Sequence, residues 1–150
     1  MGARLISSDL IRATATADAL ATGRHRLPDD SALREFHFGD WDGKHFTEVA
    51  DTHPALSRRY WEKPGDVAPP GGESWHAVAT RVNAAVDGLL HDSPGDIIIV
   101  AHIGVILTQV QRALGVTPFQ ALAHRIDNLS VTKLVHNAGH WRAASINHLP

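Results

Sequence analysis

Two rhythms of apolar residues alternate along the chain. Leu10, Ala13, Ala17 and Leu20 recur at the spacing of one helical face and predict an amphipathic helix that ends near Gly23, after a short strand at Ala3–Ser7. Val78, Val82, Ala85, Val86, Leu89 and Leu90 make a wider face, the strongest helical pattern in the chain, which opens at Glu73-Ser74. Ile97–Val100 has neither period: four consecutive β-branched apolar residues follow the turn chemistry of Pro94-Gly95-Asp96. Such a run predicts a fully buried strand of a parallel sheet with helices on both faces. It stops at His102. Gly104 then leads into a helical pattern through Leu107, Val110 and Leu114, closed by Gly115.

The remaining stretches fill in the architecture. Leu33–Gly43 is dense in aromatics and reads as an irregular, partly extended segment anchored by them; Leu27–Ala32 before it is loop. Lys44–His53 and Pro54–Lys63 predict two short helices, divided by a proline of the kind tolerated in a first turn. Pro64–Gly72, rich in proline and glycine, is a loop. Thr117-Pro118 starts a short helix to Ala123. Leu129–Val135 alternates like a strand, Asn137-Ala138-Gly139 is a turn, and His140–Ile146 is the second arm of a hairpin. Strands alternating with helices, then a closing hairpin, predict a single three-layer α/β/α sandwich over residues 1–150. Its sheet is mostly parallel, with a C-terminal antiparallel hairpin.

Composition narrows the function. The chain has 150 residues, 43% hydrophobic and 20% charged, which is one ordinary globular domain. A formal net charge of −2 gives no basic face for nucleic acid. No apolar run approaches the ~20 residues of a membrane span, and the first residues do not resemble a signal peptide, so the expected location is cytoplasmic. The absence of cysteine excludes disulfides, thiolate metal sites and cysteine nucleophiles. Eleven histidines are many, but they are scattered; the close pair His136 and His140 flanks a turn, and no metal or cofactor is expected.

Three residues carry candidate chemistry. His102 lies where a buried strand hands over to a helix, the place where ligands bind in open α/β sheets; the start of a helix also favours an anion. The plainer reading is a histidine that satisfies a strand end. Arg12 falls in the first turn of its helix, where a cation gains nothing from the dipole. It is either an exposed surface arginine or an anion-binding one at a second strand-to-helix junction. Ser7-Ser8-Asp9 before it offers capping side chains. Glu73 stands at the mouth of the long helix after a glycine pair, either as a carboxylate favoured by the helix dipole or as an acid on a loop held by a rigid scaffold.

Together these stretches resemble the histidine phosphatase superfamily, the phosphoglycerate-mutase-like fold. Ser7-Ser8-Asp9-Leu10-Ile11-Arg12-Ala13 with Thr16-Ala17, Leu33-Arg34-Glu35 with Phe38–Gly43, Pro70-Gly71-Gly72-Glu73-Ser74, and Ile98–His102 with Gly104 resemble its motifs in order, and Ser145–Leu149 fits its usual ending. Ile103 stands where the family pattern has a glycine. The family's nucleophile lies in an Arg-His-Gly motif at the end of a central first strand, and these residues do not include that motif. Arg24-His25-Arg26 is the nearest string; it follows a helix, lacks the glycine and reads as surface loop.

The resemblance implies a domain without its first strand–helix unit, truncated at the front. It implies metal-free phosphomonoester chemistry through a phosphohistidine, phosphatase or phosphomutase, with similarity to the α-ribazole phosphatase branch as well as to the mutases. Arg12 and His102 are implied to bind phosphate, His102 and Glu73 to be catalytic, and the nucleophile to come from outside. The 150-residue chain is therefore expected to be inactive. The alternative is a non-catalytic phosphate-binding or oligomerising module. Expected partners are a small phosphorylated substrate or phosphate ion, with no nucleic acid or membrane, and a homodimer through an exposed sheet edge.

Overall fold

The computed structural model describes residues 2–92 and 94–150. Its elements are β1 (Arg4–Ser7), α1 (Ile11–Ala19), β2 (His25–Arg26), α2 (Phe46–Thr52), α3 (Pro54–Glu62), α4 (Trp75–Asp92), β3 (Ile97–Val100), α5 (Ile103–Leu114), α6 (Pro118–Leu122), β4 (Val131–Asn137) and β5 (His140–His148). Single 3-10 turns at Ser31–Leu33 and Gly39–Trp41 interrupt the aromatic segment, whose Phe36 and Trp41 are buried, as its composition predicts.

β1 is central in a parallel sheet of order β2-β1-β3. The chain leaves β1 through α1 toward β2, then crosses back through α4 to β3 on the other side. Right-handed crossovers in opposite directions place α1 and α4 on opposite faces. Ala13 and Ala17 are the buried face of α1. Val78, Val82 and Val86 of α4 pack with Val105 and Leu107 of α5, Ala121 of α6 and Ile99 of β3 in the main core. A capping box at Thr117 and Gln120 starts α6 behind Pro118, and Gly115, at φ 64°, ends α5 in the left-handed conformation.

The structure departs from three sequence expectations. Arg24-His25-Arg26 is not all loop. His25 donates its N–H to the Ala3 carbonyl and Leu27 to that of Leu5, which makes His25–Arg26 a short edge strand. Its register sets His25 beside Arg4, at the opposite end of β1 from Ser7. Second, β3 is only half-buried along its whole length, despite its four β-branched residues. The reason is topological: among the described residues β3 pairs with β1 alone, and β4–β5 form a separate antiparallel sheet that rests on α5. Leu129 and Val131, beside and in β4, stay exposed. Third, no side chain of Ser7-Ser8-Asp9 caps α1. Leu10 is its N-cap residue, without a side-chain cap.

Candidate active site

The register of β1 against β3 brings two loops together. Ser7 lies opposite Val100, and the Ser8 N–H continues the ladder by donating to the Val100 carbonyl at 3.1 Å. The next residues of each strand therefore leave the sheet side by side. Ser8 Oγ is 2.6 Å from Nε2 of His102, and both residues are buried. α1 and α5 begin there, at the carboxyl ends of β1 and β3, where the ligand crevice of a parallel sheet usually lies.

His102 is the N-cap residue of α5, in extended conformation. Burial holds its pKa below the usual histidine value, and the Arg12 charge pushes the same way; Glu35 opposes and Arg81 adds a smaller depression. So Arg12, from the start of α1, lies within electrostatic reach of His102. Arg12 is exposed, and no acidic side chain pairs with it among the described residues. A buried neutral imidazole beside an unpaired guanidinium is a setting suited to a dianion.

The anion expected at the start of α5 is supplied by the protein itself. Glu35 Oε2 accepts the Gly104 N–H at 3.2 Å, and Oε1 accepts that of Phe36 at 2.9 Å. A Cβ on Gly104 would overlap the Glu35 carboxylate and the Phe36 ring, so glycine is required there by space.

Glu73 is fixed by two loops whose backbones touch. Asp40 N–H donates to the Pro70 carbonyl at 2.9 Å, Glu73 N–H to the His37 carbonyl at 2.8 Å, and His37 N–H to Glu73 Oε2 at 2.9 Å. Gly39, at φ 55°, and Gly72 face each other's loops with no room for a Cβ. Arg81 of α4 grips the Glu73 carboxylate through two nitrogens and also donates to the carbonyls of Ala32, Arg34 and Glu35. That bond to Arg81 chiefly, with the His37 N–H, holds the Glu73 carboxyl below its usual value. Glu73 thus serves Arg81 and His37 rather than the first turn of α4, and it stands ionised, against the raised value a resting general acid needs.

Arg12, His102 and Glu73, distant in sequence, are tied to one neighbourhood through Ser8, Glu35 and Arg81. Those three, and Tyr60, were not singled out from the sequence. Tyr60 packs edge-on against Trp41, and burial with the charges of Glu35 and Glu73 pushes its hydroxyl up to about 12. Ser8 and Glu35 stand in the family-like stretches, and Arg81 is signalled by its spacing, eight residues after Glu73. His136 lies opposite Trp141 in the hairpin, ring against tilted ring, while His140 pairs with Asn137. No group of three or more metal-ligating side chains occurs among the described residues.

The family model of the histidine phosphatase superfamily (branch 1) matches residues 2–149. Glucosyl-3-phosphoglycerate phosphatase of Mycobacterium tuberculosis is 33% identical over 153 residues, covering 94% of this chain and 66% of the relative. A bifunctional protein of the same organism is 36% identical over 115 residues, 75% of this chain and 31% of its own length. The chain thus spans about a third to two thirds of these relatives. Among solved structures, Bacillus stearothermophilus YhfR superposes with a TM-score of 0.88 at 27% identity, covering 99% of this chain and 75% of that one. The mycobacterial glucosyl-3-phosphoglycerate phosphatase in complex with inorganic phosphate gives 0.82 at 30%, covering 98% and 77%. The fold, the ordered motifs and these matches agree: the chain belongs to the histidine phosphatase superfamily.

Proposed function

We propose that the crevice binds the phosphoryl group of a small phosphomonoester and forms part of a phosphohistidine-type phosphatase site whose nucleophile comes from outside these 150 residues. The observation that carries this reading is the contact of Ser8 with His102 at the aligned ends of β1 and β3, with Arg12 within electrostatic reach of the imidazole and Glu73 joined to Arg81. The relative solved with inorganic phosphate supports that ligand chemistry.

Each residue has a definable task. The Arg12 fork binds two phosphoryl oxygens, and His102 donates to a third as charge moves onto it. An incoming imidazole nitrogen forms the P–N bond while the P–O bond to the alcohol breaks, and the departing oxygen takes a proton from Glu73. Water then attacks phosphorus, gives its proton to Glu73 and releases inorganic phosphate from the imidazole. Arg81 holds Glu73 in the form this second step needs. A phosphoryl dianion beside the carboxyl opposes Arg81 and favours the protonated form that the first step needs. None of these tasks calls for a metal.

A non-catalytic module is the second reading, favoured by the divided sheet. Association of two copies through the β3 edge belongs to either reading. No described helix is long and apolar enough to cross a membrane, and we place the protein in the cytoplasm. The deciding experiment follows hydrolysis of p-nitrophenyl phosphate by the 150-residue chain, and by the same chain extended with a family-type strand and helix carrying Arg-His-Gly. Inorganic phosphate binding is followed by 31P NMR. Phosphate binding without turnover in the first, and turnover abolished by His102→Ala in the second, is the expected result. Turnover by the first chain, or no phosphate binding, overturns the reading; binding without turnover in both favours the module.

A further inference from the structure

We infer that Ser8 is a positioning residue: it fixes His102 in the tautomer that carries its proton on Nδ1, so that Nδ1–H is the donor offered to an anion in the crevice. This rests on the phosphate reading for its purpose, though not for its geometry. Ser8 is wholly enclosed, at 0% exposure. Its Oγ already accepts the Leu10 N–H at 3.4 Å, a long bond, and lies 2.6 Å from His102 Nε2. Leu10 N–H is a donor and cannot take the hydroxyl proton. The described residues offer Ser8 no acceptor other than Nε2. Were Nε2 protonated, two hydrogens would face each other or the Ser8 hydroxyl would be left buried without an acceptor, which folded proteins rarely tolerate. Nε2 therefore accepts, and a neutral ring then carries its proton on Nδ1.

The surroundings keep the ring neutral. Arg12 from α1 and Arg81 from α4 repel an imidazolium, burial disfavours it, and Glu35 from the aromatic segment is the opposing carboxylate. Nδ1 has no hydrogen-bond partner among the described residues. His102 is thus a neutral donor with its one free proton already in place. It does not serve as a base, because its lone pair is held by Ser8.

The test compares the native chain with Ser8→Ala and Ser8→Thr by two-bond 1H–15N correlation of the imidazoles at pH 8, with His102 assigned from its disappearance in His102→Gln. The expected native pattern is a protonated Nδ1 and an unprotonated Nε2. Ser8→Ala should shift the population toward Nε2–H, the form a free histidine side chain prefers in water, and Ser8→Thr should restore the native pattern. A native ring protonated on Nε2, or a pattern unchanged in Ser8→Ala, overturns the assignment. If Ser8→Thr does not fit the enclosed site, the native and alanine spectra still decide. A separate titration with inorganic phosphate should show affinity falling roughly three- to tenfold in Ser8→Ala, about what one neutral hydrogen bond carries. Undiminished affinity overturns the positioning role even where the tautomer is as stated. Failure of the native chain to bind phosphate overturns the proposed function, while the ligand-free spectra continue to decide the tautomer.

Discussion

Arg81 holds Glu73 by both carboxylate oxygens, Nε 2.8 Å from Oε1 and Nη2 2.9 Å from Oε2. The pair is partly enclosed, and the remaining N–H groups of Arg81 reach the carbonyls of Ala32, Arg34 and Glu35. One side chain thus sets the charge of Glu73 and stitches α4 to residues 32–35. Arg81→Met should raise the Glu73 pKa, seen by carboxyl 13C titration, and destabilise the fold by about 2 kcal/mol in urea unfolding. The sign of the pH effect follows from the depression. Glu73 contributes stability that is present above the unfolded carboxyl value and is lost as pH falls through the lower folded value. Arg81→Met should flatten that acid-side loss, and an unchanged slope would show that Arg81 does not govern Glu73.

Gly39 and Gly43 both have positive φ, but only Gly39 faces a wall of backbone, the Pro70–Gly72 loop. Gly43→Ala should cost only the conformational penalty, about 1 kcal/mol. Gly39→Ala adds a clash that neither loop can relieve by turning a side chain, and should cost more than about 3 kcal/mol. The shift should also loosen the His37–Glu73 hydrogen bonds. Chemical denaturation of both variants checks the ordering; equal losses would mean that the contact of the two loops is not a constraint.

Arg12 is an exposed cation without an acidic partner among the described residues, whereas exposed Arg34 is held by Asp9 through two nitrogens. Removing Arg12 should therefore leave the melting temperature within about 1 °C, since no native contact of weight is lost. It should weaken inorganic phosphate binding tenfold or more, the order expected for a charge-assisted bond. Arg34→Ala is the control that leaves phosphate affinity unchanged. Equal effects of the two substitutions would remove Arg12 from the site.

Much of this was legible in residue patterns. The helical faces of α1, α4 and α5 have strong periodicity, and the turns at Gly115 and Gly139 are written in glycines that suit left-handed backbone, which Ala138 adopts as well despite its Cβ. His102, Arg12 and Glu73 could be placed at element ends, and so at the crevice. The rest depended on tertiary relations that leave no periodic trace. Ser8 looks like a capping serine until the register of β1 and β3 sets it against His102. Glu35 looks like a surface acid until α5 begins beside it. Glu73 looks like a candidate resting acid until Arg81 approaches from two turns along α4. The four β-branched residues of β3 predict complete burial, because the pattern assumes strands on both edges; a strand with one partner is covered on one side only.

Ile97–Val100 is half-buried, its outer edge has no strand partner among the described residues, and Val131 of the separate hairpin is 49% exposed. An apolar edge of this kind favours pairing with another chain. A chain extended in front of residue 1 by a family-type strand and helix should melt higher, because the added strand would pair with an open backbone edge and cover half-exposed isoleucines. Each backbone hydrogen bond nets roughly 0.5–1.5 kcal/mol and each large apolar side chain covered adds roughly 1.5–3 kcal/mol. Ordering the new residues costs roughly 1–2 kcal/mol each in backbone entropy. An interior strand, which covers side chains on both of its faces, should come out favourable. The 150-residue chain should melt lower, or show a midpoint that rises with protein concentration if two copies pair through this edge. Thermal unfolding of both chains across a hundredfold range of concentration separates the cases. Equal midpoints, independent of concentration, would show that the sheet needs no further strand, and the origin of the half-buried β3 would have to be sought within these residues.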